Sequence, residues 1–205
     1  MIELLSPYKH IKYADIKIGK LIASGNVSVY RGKYFDMDVA IKVYEYNEEN
    51  IIYHIMNELN ISHNIKSDRL MKIYGYSYGD DKSLLFLIME YINSKDLCRY
   101  LDQDKYNVHI DDIISSRENH PYINEYGYIY TMTRKTKLSI VISFLKAIKS
   151  LWDENIIHGD LKPLNLVVHR KGEDIYIKII DYGTCQHKDN IDIDYCCSTD
   201  GYVSP

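Results

Sequence analysis

The sequence predicts an α+β fold, and three observations lead to it. Two apolar runs, Met37–Tyr44 and Leu84–Met89, read as buried strands. Between them, residues 48–63 place Ile51, Ile52, Ile55, Leu59 and Ser62 on one face of a helix. A second helical stretch, Leu138–Trp152, precedes two short strand-like runs, Leu166–His169 and Ile175–Ile180, with a turn at Lys171-Gly172-Glu173. At 205 residues the chain accommodates one ordinary domain or a small two-lobed one.

Each element has its own justification. Met37–Tyr44 is rich in branched and apolar residues. The helix at 48–63 opens on Glu48 and Glu49, which suit the positive end of a helix dipole. Leu84–Met89 is uninterrupted and then meets Glu90, Tyr91 and Ile92, as a core strand running out into solvent would. A short helix is expected near Lys95–Leu101. The next 35 or so residues, 102–136, include Asp111, Asp112, Ser115, Ser116, Pro121 and Gly127 and read as a surface insertion with room for a partner-binding role. In Leu138–Trp152 the residues Ile142, Leu145, Ile148 and Leu151 recur at helical spacing and mark the predicted buried face.

Composition excludes several classes. Net charge is −4 and hydrophobic content is 46%, so a core is available and no nucleic-acid-binding surface is expected. No apolar run is long enough for a membrane span, and Met1–Lys12 carries Glu3, Pro7, Lys9 and His10, so no signal segment is expected. Cys98, Cys185, Cys196 and Cys197 show no metal-type or disulfide spacing and read as reduced thiols of a cytoplasmic protein. Tyrosine reaches 21, with Ile, Asn and Lys also frequent, a bias that fits an AT-rich genome such as that of a large DNA virus or a protist. No signal for an oligomeric state is present.

The chemistry is concentrated in two short phrases, His158-Gly159-Asp160-Leu161-Lys162-Pro163-Leu164-Asn165 and Asp181-Tyr182-Gly183. They provide a base, a cation, an amide and a metal-binding carboxylate, the set needed to move a phosphoryl group from a magnesium nucleotide to a hydroxyl. Upstream stands Val39-Ala40-Ile41-Lys42. Together these resemble the protein kinase signature set, with Asp160 and Asn165 at the family's spacing and Asp-Tyr-Gly in place of Asp-Phe-Gly. Lys162-Pro163 resembles the serine/threonine form of the loop.

The resemblance implies a protein-kinase-like fold. Residues 1–92 would form an N-lobe with a five-stranded antiparallel sheet, one helix and a hinge at 90–93. Residues 93–205 would form a truncated, mainly helical C-lobe, with the catalytic loop at 158–165 and the activation segment at 181–205. It implies ATP and Mg²⁺ as cofactors. Asp160 is then the base, Lys162 the charge neutraliser, and Asn165 and Asp181 the Mg²⁺ ligands. Lys42 pairs with the α- and β-phosphates and with Glu58 on the helix. Ile22, Gly25, Val29, Ala40, Met89 as gatekeeper, Glu90 and Ile92 line the nucleotide site. Gly183, Thr199 and Tyr202 belong to the activation segment, Thr199 lying beneath the peptide near Asp160 and Lys162. His158 packs at the base of the loop.

Three departures from the pattern matter. The phosphate-covering stretch Ile22-Ala23-Ser24-Gly25-Asn26-Val27-Ser28-Val29-Tyr30 has one glycine and is one residue short before Val29, which disfavours close approach of backbone N–H groups to phosphate. Gly159 replaces an arginine that would read activation-segment phosphate, so that form of regulation is not expected. The chain reaches Ser204-Pro205 without the glutamate or the helices that follow in the family, which would leave apolar faces at 138–152 uncovered. The expected function is Ser/Thr protein kinase activity on a protein substrate. The alternative is a pseudokinase of the tyrosine-kinase-like group. The stretches 26–34 and 39–44 resemble mixed-lineage-kinase-domain-like pseudokinases, whose viral relatives bind a partner kinase in the host cytoplasm and block cell-death signalling.

Overall fold

A computed structural model of the chain describes residues 5–25, 27–45, 49–80, 83–102, 105–107, 128–130, 133–171 and 174–189. Five strands form one antiparallel sheet: β1 (Ile16–Ala23), β2 (Ser28–Tyr34), β3 (Met37–Glu45), β4 (Ile73–Tyr78) and β5 (Leu84–Glu90), in the order β1-β2-β3-β5-β4. The central pair β3 and β5 carries the two apolar runs, and Val39, Ile41, Leu85, Phe86, Leu87 and Ile88 are buried. Helix α1 (Glu49–Asn64) packs Ile55, Leu59 and the partly buried Ile51 against Tyr44, Leu85 and Leu87.

The segment before β1 belongs to this lobe, which the sequence reading did not foresee. Leu5 and Ile11 are buried, and residues 9–11 run along β4, with Ile11 N donating to Tyr76 O and Tyr76 N donating to Lys9 O.

Beyond the sheet, Lys95–Asp96 is a short strand (β6) paired with Val167 and Val168, so helix α2 begins only at Leu97 and runs to Asp102. The expected helix near Lys95–Leu101 therefore loses its first two residues to strand pairing. In the insertion, β7 (Lys105–Asn107) pairs with β8 (Tyr128–Tyr130), while Asp111, Asp112, Ser115, Ser116, Pro121 and Gly127 lie outside the described residues. Helix α3 runs from Arg134 to Asp153, four residues earlier than expected, because Thr133 caps it by accepting from Thr136 N. Asn155, with φ +57°, ends it in the left-handed region.

The buried face of α3 differs from the expected stripe. Ile140, Ser143, Ala147 and Leu151 are buried, with Phe144 and Ile148 partly so, whereas Ile142 is 44% and Leu145 59% exposed. The helix is apolar on more than one side, so periodicity does not choose its face. The small Ser143 and Ala147 do, by facing strand β11 (Asp174–Ile179), where Ser143 Oγ accepts from Ile177 N at 2.7 Å and from Arg69 Nη1 at 2.9 Å. After α3 come β9 (Ile156–Ile157), β10 (Leu166–Lys171), β11 and β12 (Gln186–His187). Gly172 and Glu173 of the expected turn lie outside the described residues. Among the described residues no helix is long and apolar enough to cross a membrane.

Candidate functional site

Two strand pairings build the site. The β10–β11 hairpin pairs Leu166 with Ile179, and Ile180 N donates to Asn165 O at 2.9 Å, so Asn165 and Asp181 emerge at the same end. Strand β9 pairs with β12, bringing the stretch before His158 beside the stretch after Gly183. The two polar phrases, remote in sequence, are thus set side by side.

Lys42 projects from mid-β3, where it pairs with Val29 of β2 and Leu87 of β5. Its ammonium lies 2.6 Å from Glu58 Oε1 and 3.0 Å from Asp181 Oδ1. Glu58 is 1% exposed, and Glu49 is the first residue of α1. Burial alone would lower the Lys42 pKa, but Glu58, Tyr44 and Asp181 outweigh it and hold it well above that of a free lysine. Burial pushes the Glu58 carboxyl up, against the pull of Lys42. For Asp181 burial also works upward, but the Lys42 charge prevails and holds the carboxyl below the usual aspartate range.

Asp160 and Asn165 meet across a short turn. Pro163 opens a 3-10 helix over Pro163–Asn165. This turns the Asn165 amide back to donate to Asp160 O at 2.9 Å. The Lys162 ammonium lies 2.6 Å from Asp160 Oδ2. His158 is buried, faces Ile180 O with Nε2 at 3.3 Å, and has its pKa pushed down by burial. Gly159 has φ +80°, and a Cβ there would stand 2.6 Å from Thr184 O. The backbone, held by the Thr184 hydroxyl donating to His158 O at 2.9 Å, demands glycine at that position. Asp181 has φ +68°, an uncommon conformation for a non-glycine residue and one that often marks a functional position.

These groups share a cavity of about 630 Å³. Ile22, Gly25, Val29 and Ala40 line it from the sheet, and Met89, Glu90 and Ile92 from the end of β5. Lys42, Glu58, Lys162, Asn165 and Asp181 line its polar end, and Asp160 reaches it through Lys162. Glu90 is tied down by Lys178, whose ammonium lies 2.8 and 2.7 Å from its two carboxylate oxygens, and Arg31 stacks 4.8 Å from the Tyr91 ring centroid. Gly183 follows Tyr182 and faces α1, while Thr199 and Tyr202 lie outside the described residues.

The residues present fit a magnesium nucleotide. Val29, Ala40, Leu164 and Val167 give the cavity apolar walls suited to a planar base, and Lys42 and Lys162 offer cations at the other end. The Asn165 amide nitrogen is committed to Asp160 O, which leaves its oxygen, with the Asp181 carboxylate, as hard ligands. Mg²⁺ typically takes one or two such protein groups and completes its shell with phosphate and water.

Comparison with known proteins decides the family, for the description "Protein kinase domain" matches residues 16–205. The chain belongs to the protein kinase family. It is 31% identical over 191 residues, 90% of its length, to a probable LIM domain-containing serine/threonine-protein kinase of Dictyostelium discoideum. It is 27% identical over 206 residues to the RGS domain-containing serine/threonine-protein kinase A of the same organism. It is 26% identical over 198 residues to an Aurora kinase of Patiria pectinifera. The chain spans 25%, 16% and 42% of the lengths of these relatives.

Three residues of this kinase domain escaped the sequence reading. Asn57 Nδ2 lies 2.6 Å from Cys185 O, 3.2 Å from Tyr182 O and 3.3 Å from Gly183 O, and His54 Nδ1 lies 3.1 Å from Gly183 O. Both grip the backbone beside Asp181 from α1. The third is Tyr44, whose hydroxyl donates to Glu58 Oε1 at 2.7 Å. Tyr182 itself is fully buried, and its hydroxyl donates to Met71 O at 2.9 Å. The aromatic after Asp181 is therefore a core residue with a satisfied polar tip.

Proposed function

We propose that this kinase domain binds Mg-ATP in the cleft and transfers the γ-phosphoryl group to Ser or Thr hydroxyls of a protein substrate, in the cytoplasm. The observation that carries this reading is that two contact groups, Lys42 with Glu58 and Asp181, and Asp160 with Lys162 and Asn165, serve one cavity, which all of them but Asp160 line. Asp160 orients the attacking hydroxyl and takes its proton on a carboxylate oxygen. Lys162, already on Asp160, balances charge on the group in transit. Lys42 fixes the α- and β-phosphates while Glu58 aims it. Asn165 and Asp181 hold Mg²⁺, which when bound neutralises charge on the phosphate oxygens. Met89, Glu90 and Ile92 receive the base. The activation segment, with Thr199 and Tyr202, positions the substrate.

A second reading draws on two observations. The phosphate-facing turn offers Gly25 alone, and the positive φ at Gly159 leaves no place for an arginine there. Both fit a domain of the tyrosine-kinase-like group that acts by binding a partner kinase, as a mixed-lineage-kinase-domain-like decoy of viral origin would. One experiment separates the two. On the kinase reading, purified 1–205 gains thermal stability with Mg-ATP and labels a generic protein, and Asp160→Asn abolishes labelling. Stabilisation without transfer rejects the enzyme reading, and a stable complex with a partner kinase that survives Asp160→Asn supports the decoy.

A further inference from the structure

We propose that the Tyr44 hydroxyl is a positioning group for the nucleotide clamp, holding the Glu58 carboxylate in place so that Lys42 is presented to a polyphosphate. This rests on the reading that the cleft takes Mg-ATP.

The geometry is a closed triangle. Tyr44 follows Lys42 by two positions on β3, so both side chains leave the same face of the sheet. The hydroxyl is 2.7 Å from Glu58 Oε1, the same oxygen that Lys42 approaches at 2.6 Å. The Lys42 ammonium in turn stands 5.5 Å from the centroid of the Tyr44 ring, within cation–π range. Tyr44 is 4% exposed, and burial with the neighbouring carboxylate pushes its phenol pKa well above normal, so it remains a donor.

Glu58 needs this second donor. Its Oε2 is buried and has no hydrogen-bond partner among the described residues, so both donors act on Oε1. Lys42 is divided between Glu58 and Asp181. Without the hydroxyl, a fully buried carboxylate would depend on that shared ammonium alone. Its burial cost would then draw Lys42 toward Glu58 and off the line from which it serves both Asp181 and a phosphate. Ring packing against Leu59 and Leu87 is a separate contribution, which phenylalanine retains.

The test measures Mg-ATP affinity of the full chain by calorimetry. Tyr44→Phe is expected to weaken binding about five- to tenfold, the size of one ordinary net hydrogen bond felt by Lys42 through Glu58. Incorporating 4-aminophenylalanine at position 44 restores a ring-borne donor and is expected to return affinity to within about twofold of wild type. On a Glu58→Gln background the same Tyr44→Phe change is expected to cost no more than about twofold, because the coupling is already broken. The inference is overturned if wild type binds and Tyr44→Phe binds as well, if the amino-bearing ring fails to rescue, or if the loss is equal on both backgrounds. Failure of the wild-type chain to bind Mg-ATP overturns the underlying nucleotide reading, and this inference with it.

Discussion

Asn57 is the sharpest place to test how α1 is fastened to the catalytic segment. Its amide nitrogen serves three carbonyls, but Tyr182 O also receives Cys185 N at 3.0 Å, and Gly183 O faces His54 at 3.1 Å. Cys185 O, at 2.6 Å from Asn57, has no second partner among the described residues. Asn57→Ala therefore strands one carbonyl and weakens two others, a cost of about 2 kcal/mol. For a domain of this size that lowers Tm by about 4–8 °C. Asn57→Asp has nearly the same volume but no donor, and it sets a carboxylate against three carbonyl oxygens. It should melt lower still, by at least about 1 kcal/mol of added repulsion. Because Asp181 immediately precedes Tyr182, both variants should also show a smaller Mg-ATP-induced rise in Tm. Thermal melts with and without nucleotide read both quantities. An Asn57→Asp protein as stable as Asn57→Ala, or an alanine variant within about 1 °C of wild type, would refute the latch.

Three further outcomes follow from the geometry. Ser143→Ala removes the acceptor for the buried Ile177 N–H and for Arg69, and denaturant unfolding should show a loss of about 1–3 kcal/mol. Gly159→Ala meets Thr184 O at 2.6 Å with φ +80°, so it should cost about 1–3 kcal/mol, and a substitution tolerated without loss would contradict the described turn. His158 is buried with its pKa held below the ordinary 6.5. The unfolded chain then binds the proton more readily, so stability is lost as pH falls below about 6.5, and Tm measured from pH about 7.5 to about 5.5 should drop less steeply in His158→Gln.

The residues that do the proposed chemistry were legible because each is a charged or amide side chain in a short phrase with fixed internal spacing. Lys42 was marked by the phrase Val39-Ala40-Ile41-Lys42, and Asp160, Lys162 and Asn165 by the spacing within one phrase, in each case through resemblance to the protein kinase signature set. Glu58 was chosen over Glu48 and Glu49 by position, and its contact with Lys42 is consistent with that choice. The supports of these residues were not legible. Asn57 and His54 bond backbone carbonyls more than 120 positions away, and backbone acceptors leave no trace in residue identity. Tyr44 looked like one more apolar strand residue. The face of α3 was misread because Leu138, Val141, Ile142 and Leu145 are as apolar as the buried positions, and the signal lay instead in two small residues, Ser143 and Ala147. Gly159 was read as a missing arginine, although its dihedral explains it without reference to phosphate.

The family match begins at residue 16, but the folded unit begins earlier. With Leu5 and Ile11 sunk into the sheet and Lys9 and Ile11 bonded to Tyr76, β4 is no longer an open border. A polypeptide started at Ile16 would bare a row of unmet main-chain groups beside an apolar trench, an invitation to strand exchange between copies. Among the described residues the other border of this sheet is β1, so pairing between copies through the five strands would engage the nucleotide-loop side.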